Sequence, residues 1–264
     1  MGDRNAADNS EDNLIQVRDL TMGFDDFVLM QDLHFDVRRG EIFVILGGSG
    51  SGKSTLLKHM IGLYTPLAGQ IRVAGANITE AEGEERLAIL CRFGVMYQMG
   101  ALFGSMTLLE NVRLPLEVHT RLPSEAMDAI ARARLQRVGL GAFADFLPAE
   151  ISGGMQKRAA IARAMALDPE ILFLDEPSAG LDPITSADLD RLIQRLARTL
   201  GMTIVIVSHE LTSIFTIADR VIMLDKETRG IAAEGNPRVL RDNAENLWVR
   251  RFLRGTESGQ ETTA

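Results

Sequence analysis

Two hydrophobic patterns alternate along the chain: short continuous apolar runs, and longer stretches with helical spacing. The apolar runs are EIFVIL (41–46), FGVMY (93–97), ILFLD (171–175), TIVIV (203–207) and VIML (221–224). Helical spacing follows the first run in KSTLLKHMIGL (53–63) and returns between Ala187 and Leu200, before a stop signal at Gly201. Continuous apolar runs fit strands that are buried on both faces of a sheet. Their alternation with helices predicts an α/β fold with a mainly parallel sheet.

Some regions depart from this alternation. Residues 14–40 and 69–79 alternate between apolar and polar positions, as in LIQVRDL, LHFDV and QIRVAG, which predicts antiparallel strands. Residues 107–167 have mostly helical spacing. We therefore expect a parallel core with an antiparallel β subdomain and a helical subdomain at about residues 100–167. The expected organisation is a disordered N-terminal tail (1–13), one domain (14–245) and a short C-terminal tail (246–264).

Composition and charge narrow the class of protein. The 264 residues are 46% hydrophobic and carry a formal net charge of −8. A nucleic-acid-binding protein usually has a basic excess, so this acidic balance argues against nucleic acid as a partner. The single cysteine, Cys91, allows no intrachain disulfide. The chain lacks an apolar run of about 18 residues, and its start, MGDRNAADNSEDN, lacks an apolar signal segment, so we expect it in the cytoplasm.

A glycine-rich loop follows the first apolar run. GGSGSGKST (47–55) fits the phosphate-binding pattern G-x-x-x-x-G-K-[ST]. Glycines let backbone N–H groups turn towards phosphates, Lys53 can reach the β- and γ-phosphates, and the Ser54 hydroxyl can ligate Mg²⁺. The sequence therefore predicts ATP and Mg²⁺ as ligands. The predicted binding residues are Gly47, Gly48, Ser49, Gly50, Ser51, Gly52, Lys53, Ser54 and Thr55.

A pair of acidic residues ends the run ILFLD. Asp175 stands at the end of a predicted strand, where its carboxylate can hold the coordination shell of Mg²⁺. Glu176 follows, and a carboxylate at this place can polarise an attacking water as general base. An acidic pair at a strand end is by itself ordinary. The phosphate-binding loop upstream favours the catalytic interpretation.

A further anion site is predicted in EISGGMQKRAAIARAMAL (150–167). Ser152 can cap the start of a helix, Gly153 and Gly154 leave its first N–H groups uncovered, and the first turn holds no acidic residue. A helix N-terminus of this kind attracts anions. The stretch lies in a large insert, because the two nucleotide motifs stand much further apart than the ~30 residues of a minimal strand–helix–strand unit.

These motifs form an ordered set that resembles the nucleotide-binding domain of an ABC transporter. The set comprises the loop at 47–55, Gln98, ISGGM (151–155), ILFLDE (171–176), SAGLD (178–182) and His209 in IVIVSHE. The resemblance covers about residues 14 to 240 and implies an ATPase with a P-loop core. It also implies that two copies sandwich two ATP molecules. The helix that begins near Ser152 would then bind the γ-phosphate held by the loop of the other copy.

The resemblance implies roles for four further residues. Phe24 would stack on adenine. The competing interpretation is a strand residue whose ring faces the protein core, and Phe27 is nearby. Gln98 would contact Mg²⁺ and the attacking water and would couple the site to a membrane subunit. His209 would contact the γ-phosphate, and Asp182 would lie at the interface between two nucleotide domains. Without the other motifs, Gln98 would be interpreted as a surface residue and His209 as a structural residue.

One branch of the family is particularly similar. The segment QMGALFGSMTLLENVRLPLEVHTRLP (98–123), together with DEPSAGLDPIT and VRRFLRG (249–255), resembles the ATPases of Mla and wider Mce-linked systems, which move phospholipid between the membranes of double-membraned bacteria. This likeness implies a permease, an Mce-domain lipid-binding protein and a small STAS-type regulator as partners. It also implies a peripheral position on the cytoplasmic side of the inner membrane. Met155 replaces the usual Gln of ISGGM, and we expect ATP binding to survive this change.

Other interpretations remain. A transporter ATPase for another hydrophobic substrate would share these motifs. A soluble ABC ATPase of DNA repair would carry a long coiled coil between Gln98 and Ser152, where this chain shows no sustained heptads. Translation-linked types usually carry two cassettes, and this chain carries one. A regulator that binds nucleotide without hydrolysis conflicts with the intact pair Asp175 and Glu176.

Overall fold

The computed structural model describes residues 12–24 and 27–255. In these ranges the strands are β1 (Asn13–Phe24), β2 (Phe27–Arg38), β3 (Ile42–Gly47), β4 (Ala68–Val73), β5 (Ala76–Asn77), β6 (Phe93–Met96), β7 (Ile171–Asp175), β8 (Thr203–Val207), β9 (Arg220–Asp225) and β10 (Gly230–Gly235). The α-helices are α1 (Lys53–Met60), α2 (Gly83–Leu90), α3 (Leu108–His119), α4 (Ser124–Arg137), α5 (Gly153–Ala164), α6 (Pro183–Leu200), α7 (Leu211–Ile217), α8 (Pro237–Asn243) and α9 (Leu247–Leu253).

The five predicted apolar runs form neighbouring strands of one sheet. The strand order is β10-β9-β3-β8-β7-β6, and every neighbouring pair is parallel except β10 with β9. At the centre, Val44 of β3 lies between Ile206 of β8 and Val221 of β9. This arrangement confirms the predicted mainly parallel sheet. The antiparallel edge strand β10 was not predicted.

The predicted antiparallel subdomain is a separate sheet with the order β2-β1-β4-β5. All three pairings in it are antiparallel. Alternate residues of β1, such as Ile15 and Val17, are fully buried, while Gln16 and Arg18 are partly exposed. One face of this sheet therefore packs on the protein and the other meets solvent, as the alternation predicted.

Side chains on the two faces of the parallel sheet belong to two different hydrophobic cores. Phe43 and Ile45 join the core with the antiparallel sheet and α1, whereas Ile42 and Val44 join the core on the opposite face with α6 and α7. Successive residues of a strand point to opposite faces, so a strand covered on both sides must be apolar throughout. This explains why β3 reads as an unbroken apolar run.

The helical subdomain comprises α3, α4 and α5, as predicted. Thr107 caps α3, and Glu110 closes a capping box with it. The buried side chain of Asn111 organises the preceding loop, since its carbonyl oxygen accepts from the Phe103 N–H at 2.8 Å and its amide donates to three backbone carbonyls. The loop that follows β6 is therefore tied to the start of this subdomain.

Parts of both predicted tails fall within the described residues. At the N-terminus, β1 begins at Asn13, and the rest of the predicted tail up to residue 11 lies outside the described residues. At the C-terminus, the predicted tail contains α9, in which Val249 and Leu253 are buried. This helix was not predicted from the sequence. None of the helices in the described part of the chain has the length and apolar character needed to cross a membrane.

Candidate nucleotide-binding site

The loop between β3 and α1 requires glycine at particular positions. A Cβ at Gly47 would lie 2.4 Å from Ser51 Oγ and 2.6 Å from the Leu224 carbonyl oxygen, closer than real atoms approach. Gly50 and Gly52 have φ of 74° and 83°, in the left-handed region that side chains disfavour. The loop can thus turn tightly with its backbone N–H groups exposed, which is the geometry that cradles phosphates.

Lys53 is held over this loop by main-chain carbonyls. Its Nζ donates to the Gly47 and Gly48 carbonyl oxygens, both at 2.9 Å. Burial lowers the pKa of Lys53, and the carboxylates of Glu176 and Asp175 oppose that shift. The ammonium group is therefore already placed beside the loop and faces the acidic pair.

Ser54 and Asp175 lie together although they are distant in sequence. The Ser54 hydroxyl donates to Asp175 Oδ1 at 3.3 Å. Burial raises the pKa of Asp175, and this hydrogen bond opposes the shift. Asp175 ends β7, a neighbour of β8, which in turn pairs with β3. The parallel sheet therefore brings both oxygen groups to the same carboxyl edge, as predicted.

Glu176 and His209 form a pair at the same edge. His209 Nδ1 lies 2.7 Å from Glu176 Oε1, while the buried Oε2 of Glu176 has no hydrogen-bond partner among the described residues. Glu176 has a φ of 47°, and its N–H donates to the Val207 carbonyl at 2.8 Å. A left-handed backbone at a non-glycine residue costs roughly 1–2 kcal/mol. This backbone conformation and the contact with His209 fix the direction of the Glu176 carboxylate, and Oε2 remains available to another partner.

Most of the predicted site residues surround one cavity of about 680 Å³. Its predicted lining residues are Gly47 to Thr55, Gln98, Glu176 and His209. Three residues that sequence reasoning missed complete the lining, namely Leu211, Phe252 and Gly255. The volume is in the range of ordinary ligand pockets, and the lining combines a glycine-rich cradle, a cation and a carboxylate.

The other predicted residues do not line this cavity. The residues outside it are Phe24, Ser152, Gly153, Gly154 and Asp182. Asp175 does not line the cavity either, but it accepts a hydrogen bond from Ser54, which does. The Phe24 ring is half exposed and meets the Tyr64 ring edge-on, with the ring centroids 5.7 Å apart. Phe24 is therefore not a core residue.

The start of α5 has the features expected of an anion-binding helix end. Ser152 Oγ accepts from the Met155 N–H at 3.3 Å, and no acidic residue occupies the first turn. A Cβ at Gly154 would lie 2.4 Å from Thr185 Cγ2, so α5 and α6 approach closely there. At Gly153 the nearest neighbour would be Leu181 Cδ2 at 4.0 Å, and space remains open. Ser152, Gly153 and Gly154 are not among the residues that line the cavity of their own chain.

Asp182 serves first as a helix cap. Its Oδ1 accepts from the N–H groups of Ile184 and Thr185, and its Oδ2 accepts from the Thr185 hydroxyl at 2.5 Å. These hydrogen bonds lower the pKa of Asp182. Ile184, in the same first turn of α6, is exposed at the surface.

The fold and the cavity define a P-loop ATPase, and comparison with known proteins gives its family. Residues 30–179 match the family model described as ABC transporter. MlaF, the intermembrane phospholipid transport system ATP-binding protein of Haemophilus influenzae, is 38% identical over 94% of this chain and 92% of its own. The probable ribonucleotide transport ATP-binding protein mkl of Mycobacterium leprae is 41% identical over 93% of this chain and 70% of its own. The chain belongs to the ABC transporter family of ATP-binding proteins.

Solved structures agree with this assignment. CbiO1 of Clostridium perfringens, described as part of the ABC transporter complex CbiONQ, has a TM-score of 0.79 and 29% identity, covering 86% of this chain and 90% of that chain. The dimeric, post-hydrolysis structure of the ATP-binding cassette MJ0796 with ADP and Pi has a TM-score of 0.75 and 29% identity, covering 84% of this chain and 98% of that chain. The chain is thus an ATPase of the ABC type, as its motifs predicted.

Proposed function

We propose that the chain is the ATP-hydrolysing subunit of a transporter that moves phospholipid between inner and outer membranes through a separate permease. The observation that carries the proposal is the single cavity in which the glycine loop, Gln98, Glu176 and His209 converge. The MlaF relatives support phospholipid as the substrate, because this chain covers more than nine-tenths of their length. No residue of this chain needs to touch the lipid.

The chain's own groups divide the work of hydrolysis. The N–H groups of the loop and the Lys53 ammonium bind the phosphates and stabilise the charge that develops on them. Glu176, held by His209 through Oε1, keeps its unpartnered Oε2 free to accept a proton from the attacking water. Gln98 orients that water, and His209 contacts the γ-phosphate. Because Glu176 is buried and Lys53 is partly buried, their charges act more strongly there than they would in water.

A Mg²⁺ ion fits the donor set beside the loop. Ser54 and Asp175 already place a hydroxyl and a carboxylate oxygen 3.3 Å apart, and Gln98 lines the same cavity. Oxygen ligands of this kind suit Mg²⁺, which is usually held by one or two carboxylates plus substrate phosphates. The ion would supply charge neutralisation at the phosphates.

A second copy of the chain would complete each site. Ser152, Gly153 and Gly154 form an anion-binding helix end that does not reach the cavity of their own chain. The exposed position of this helix end supports a role at the γ-phosphate held by a partner's loop. Asp182 and exposed Ile184 would lie at the same interface. Two copies would then enclose two ATP molecules, and loss of a γ-phosphate would weaken the contact between them.

Phe24 is proposed as the adenine platform. Its ring is half exposed at the end of β1 and is supported from the side by Tyr64. An exposed aromatic ring braced in this way can stack on a base. This position, outside the cavity around the phosphates, suits the base end of the nucleotide.

The permease would bind where the helical subdomain exposes apolar side chains after Gln98. Met99, Phe103 and Val118 are each more than half exposed in this region. Such residues on one subdomain are typical of a protein-binding surface. With an Mce-domain lipid-binding protein and a small STAS-type regulator as further partners, the assembly would hold the chain on the cytoplasmic side of the inner membrane.

Ribonucleotide transport is the second candidate, because the mkl relatives carry that description at 40–41% identity. The two candidates predict different stimulants of the same ATPase. Phospholipid should raise the turnover of the assembled complex in the first case, and ribonucleotides other than ATP in the second.

The test is to purify the chain, tagged at its N-terminus, from membranes in mild detergent and to identify bound subunits and lipids by mass spectrometry. We expect a permease, an Mce-domain protein, a small regulator and co-purifying phospholipid. The complex is then reconstituted in proteoliposomes, and ATPase turnover is measured with added phospholipid acceptor vesicles or with ribonucleotides. A complex without an Mce-domain protein, or one stimulated only by ribonucleotides, would overturn the phospholipid assignment.

A further inference from the structure

The loop that carries Gln98 is fastened to α5 by two cationic side chains. The Lys157 ammonium donates to the main-chain carbonyl of Gln98 itself. The Arg163 guanidinium donates to the Gly100 carbonyl at 2.9 Å and to the Ala101 carbonyl at 2.7 Å. Both cations lie on α5, so one helix holds three carbonyls of a single short loop.

The burial of Lys157 and the backbone of Ala101 both indicate that these contacts hold the loop in place. Lys157 is only 8% exposed, and burying an ammonium group is costly unless it is paired and hydrogen-bonded. An apolar residue would fill the same space without that cost. Ala101 has a φ of 50°, and a non-glycine residue in this region persists only where its surroundings hold it. The Arg163 fork, directed at the Gly100 and Ala101 carbonyls, is such a restraint.

Helix α5 is itself fixed against the strand that precedes the loop. A Cβ at Gly94 of β6 would lie 1.9 Å from the Ala164 carbonyl oxygen, so the helix and the strand meet without a side chain between them. The two cationic contacts therefore extend from a rigid base. Close-packed interiors deform little, so contacts that start from such a base hold the loop firmly.

The side chain of Gln98 has no such restraint of its own. It is exposed, lines the cavity and makes no hydrogen bond among the described residues. Its main-chain carbonyl, in contrast, is held directly by Lys157. The point from which the Gln98 amide enters the cavity is thus set through the backbone.

We propose that Lys157 is a positioning residue for ATP hydrolysis, which acts by fixing the backbone of Gln98, while Arg163 fixes the next turn of the loop. The inference rests on the proposed role of Gln98 in orienting the attacking water. Lys157 does not line the cavity, so ATP keeps its contacts with the glycine loop when Lys157 is changed. Turnover should depend on Lys157, and the KM for ATP should not.

The experiment compares Lys157→Met, which keeps the aliphatic stem, with Lys157→Arg, which keeps the cation. ATPase kinetics and thermal unfolding are measured on the full chain with its membrane subunits. We expect Lys157→Met to lower kcat roughly tenfold or more with KM changed less than about threefold, since small misplacements of catalytic groups have such effects. Lys157→Arg should recover most of the turnover. Arg134→Met, which removes a largely buried cation of α4 paired with Asp168, should leave kcat unchanged.

A double-mutant cycle with Gln98→Ala separates positioning from general stabilisation. If Lys157 acts through Gln98, Lys157→Met should add almost nothing in the Gln98→Ala background. Full additivity of the two losses, or wild-type kcat in folded Lys157→Met, would overturn the proposal. If Lys157→Met does not fold, Lys157→Gln replaces it in the same cycle. Lys53→Ala serves as reference: normal turnover in that variant would mean that the nucleotide site itself is misassigned.

Discussion

His209 Nδ1 and Glu176 Oε1 are 2.7 Å apart, although the two residues follow different strands and are separated by a complete helix. An ionised carboxylate can only accept, so the ring nitrogen donates in this pair. The contact occupies one oxygen of Glu176 and leaves the other, which is buried, without a partner among the described residues. The pair therefore presents one directed acceptor to the cavity.

Glu176→Gln should keep ATP binding and lose hydrolysis. The amide has the shape of the carboxylate but cannot take up a proton from water, and loss of a general base costs about 10²–10⁴-fold in rate. Turnover and the Kd for ATP are measured on the same preparation, and size-exclusion chromatography with ATP should show a persistent dimer. A variant that hydrolyses ATP at the normal rate would show that another group is the base.

Lys53→Ala should lower hydrolysis by about 10²–10³-fold, because a preorganised donor that stabilises developing phosphate charge is removed. Lys226→Ala is the control: Lys226 is an exposed lysine just after β9, at the start of the turn 226–229. Both variants are assayed for phosphate release at saturating ATP. Equal turnover in the two variants would contradict the proposed role of Lys53.

Mixed dimers can test whether each site takes Ser152 from the other chain. In one mixed dimer, Ser152→Trp and Lys53→Ala lie on opposite chains; in the other, both lie on the same chain beside a wild-type partner. If sites are shared, the first dimer keeps one intact site and the second keeps none. Phosphate release by purified, differently tagged dimers is the measurement. The reverse order of activities would mean that each chain forms its site alone.

Asp190→Asn should stabilise the protein at neutral pH. Asp190 is buried between α6 and α7, where the Ser213 hydroxyl donates to its Oδ1 at 2.5 Å. Burial raises the pKa of Asp190 above its ordinary value of 3.8, and Ser213 opposes that shift. With a raised pKa in the folded state, the group's contribution to stability is complete below pH 3.8 and is lost as the pH rises through the folded-state pKa. Asparagine does not ionise, so the variant does not lose this stability as the pH rises.

Urea unfolding of Asp190→Asn and wild type at pH 7 and near pH 4 measures the effect. The gain in the free energy of unfolding should be present at pH 7 and shrink towards pH 4. Ser213→Ala, which removes the donor, should lower stability at pH 7. An equal loss of stability in Asp190→Asn at both pH values would show that packing, and not ionisation, dominates at this position.

Gly154→Ala and Gly153→Ala should differ although the residues are adjacent. The Cβ at 154 meets Thr185, whose hydroxyl is bonded to Asp182, and overpacking of this kind costs about 1–3 kcal/mol. The Cβ at 153 meets only Leu181 at ordinary contact distance, and Ala is favoured over Gly in helices by up to about 1 kcal/mol. Urea unfolding of the isolated chain checks both values. Equal destabilisation would contradict the close approach of α5 and α6.

The sequence predicted those features that depend on local pattern. The strands that carry the loop and Asp175 are unbroken apolar runs, and the loop itself is a short motif with its own geometry. The pairing of His209 with Glu176 depends on β8 lying beside β7, and strand order cannot be read from local spacing. Lys157 reaches Gln98 through a long flexible side chain, so its contact depends on how α5 packs. Helix α9 could have been found, since Val249, Phe252 and Leu253 recur at helical spacing after Asn246.

The C-terminal helix α9 has a practical consequence for anyone handling the protein. Phe252 and Gly255 form part of the cavity wall, so the described chain ends beside the proposed nucleotide site. The other end of the described chain, at Asp12, lines a different depression together with Arg220 and Glu234. An affinity handle or fluorescent fusion joined directly after Gly255 would be tethered beside the ATPase centre. Fusions placed before the first strand keep that centre clear.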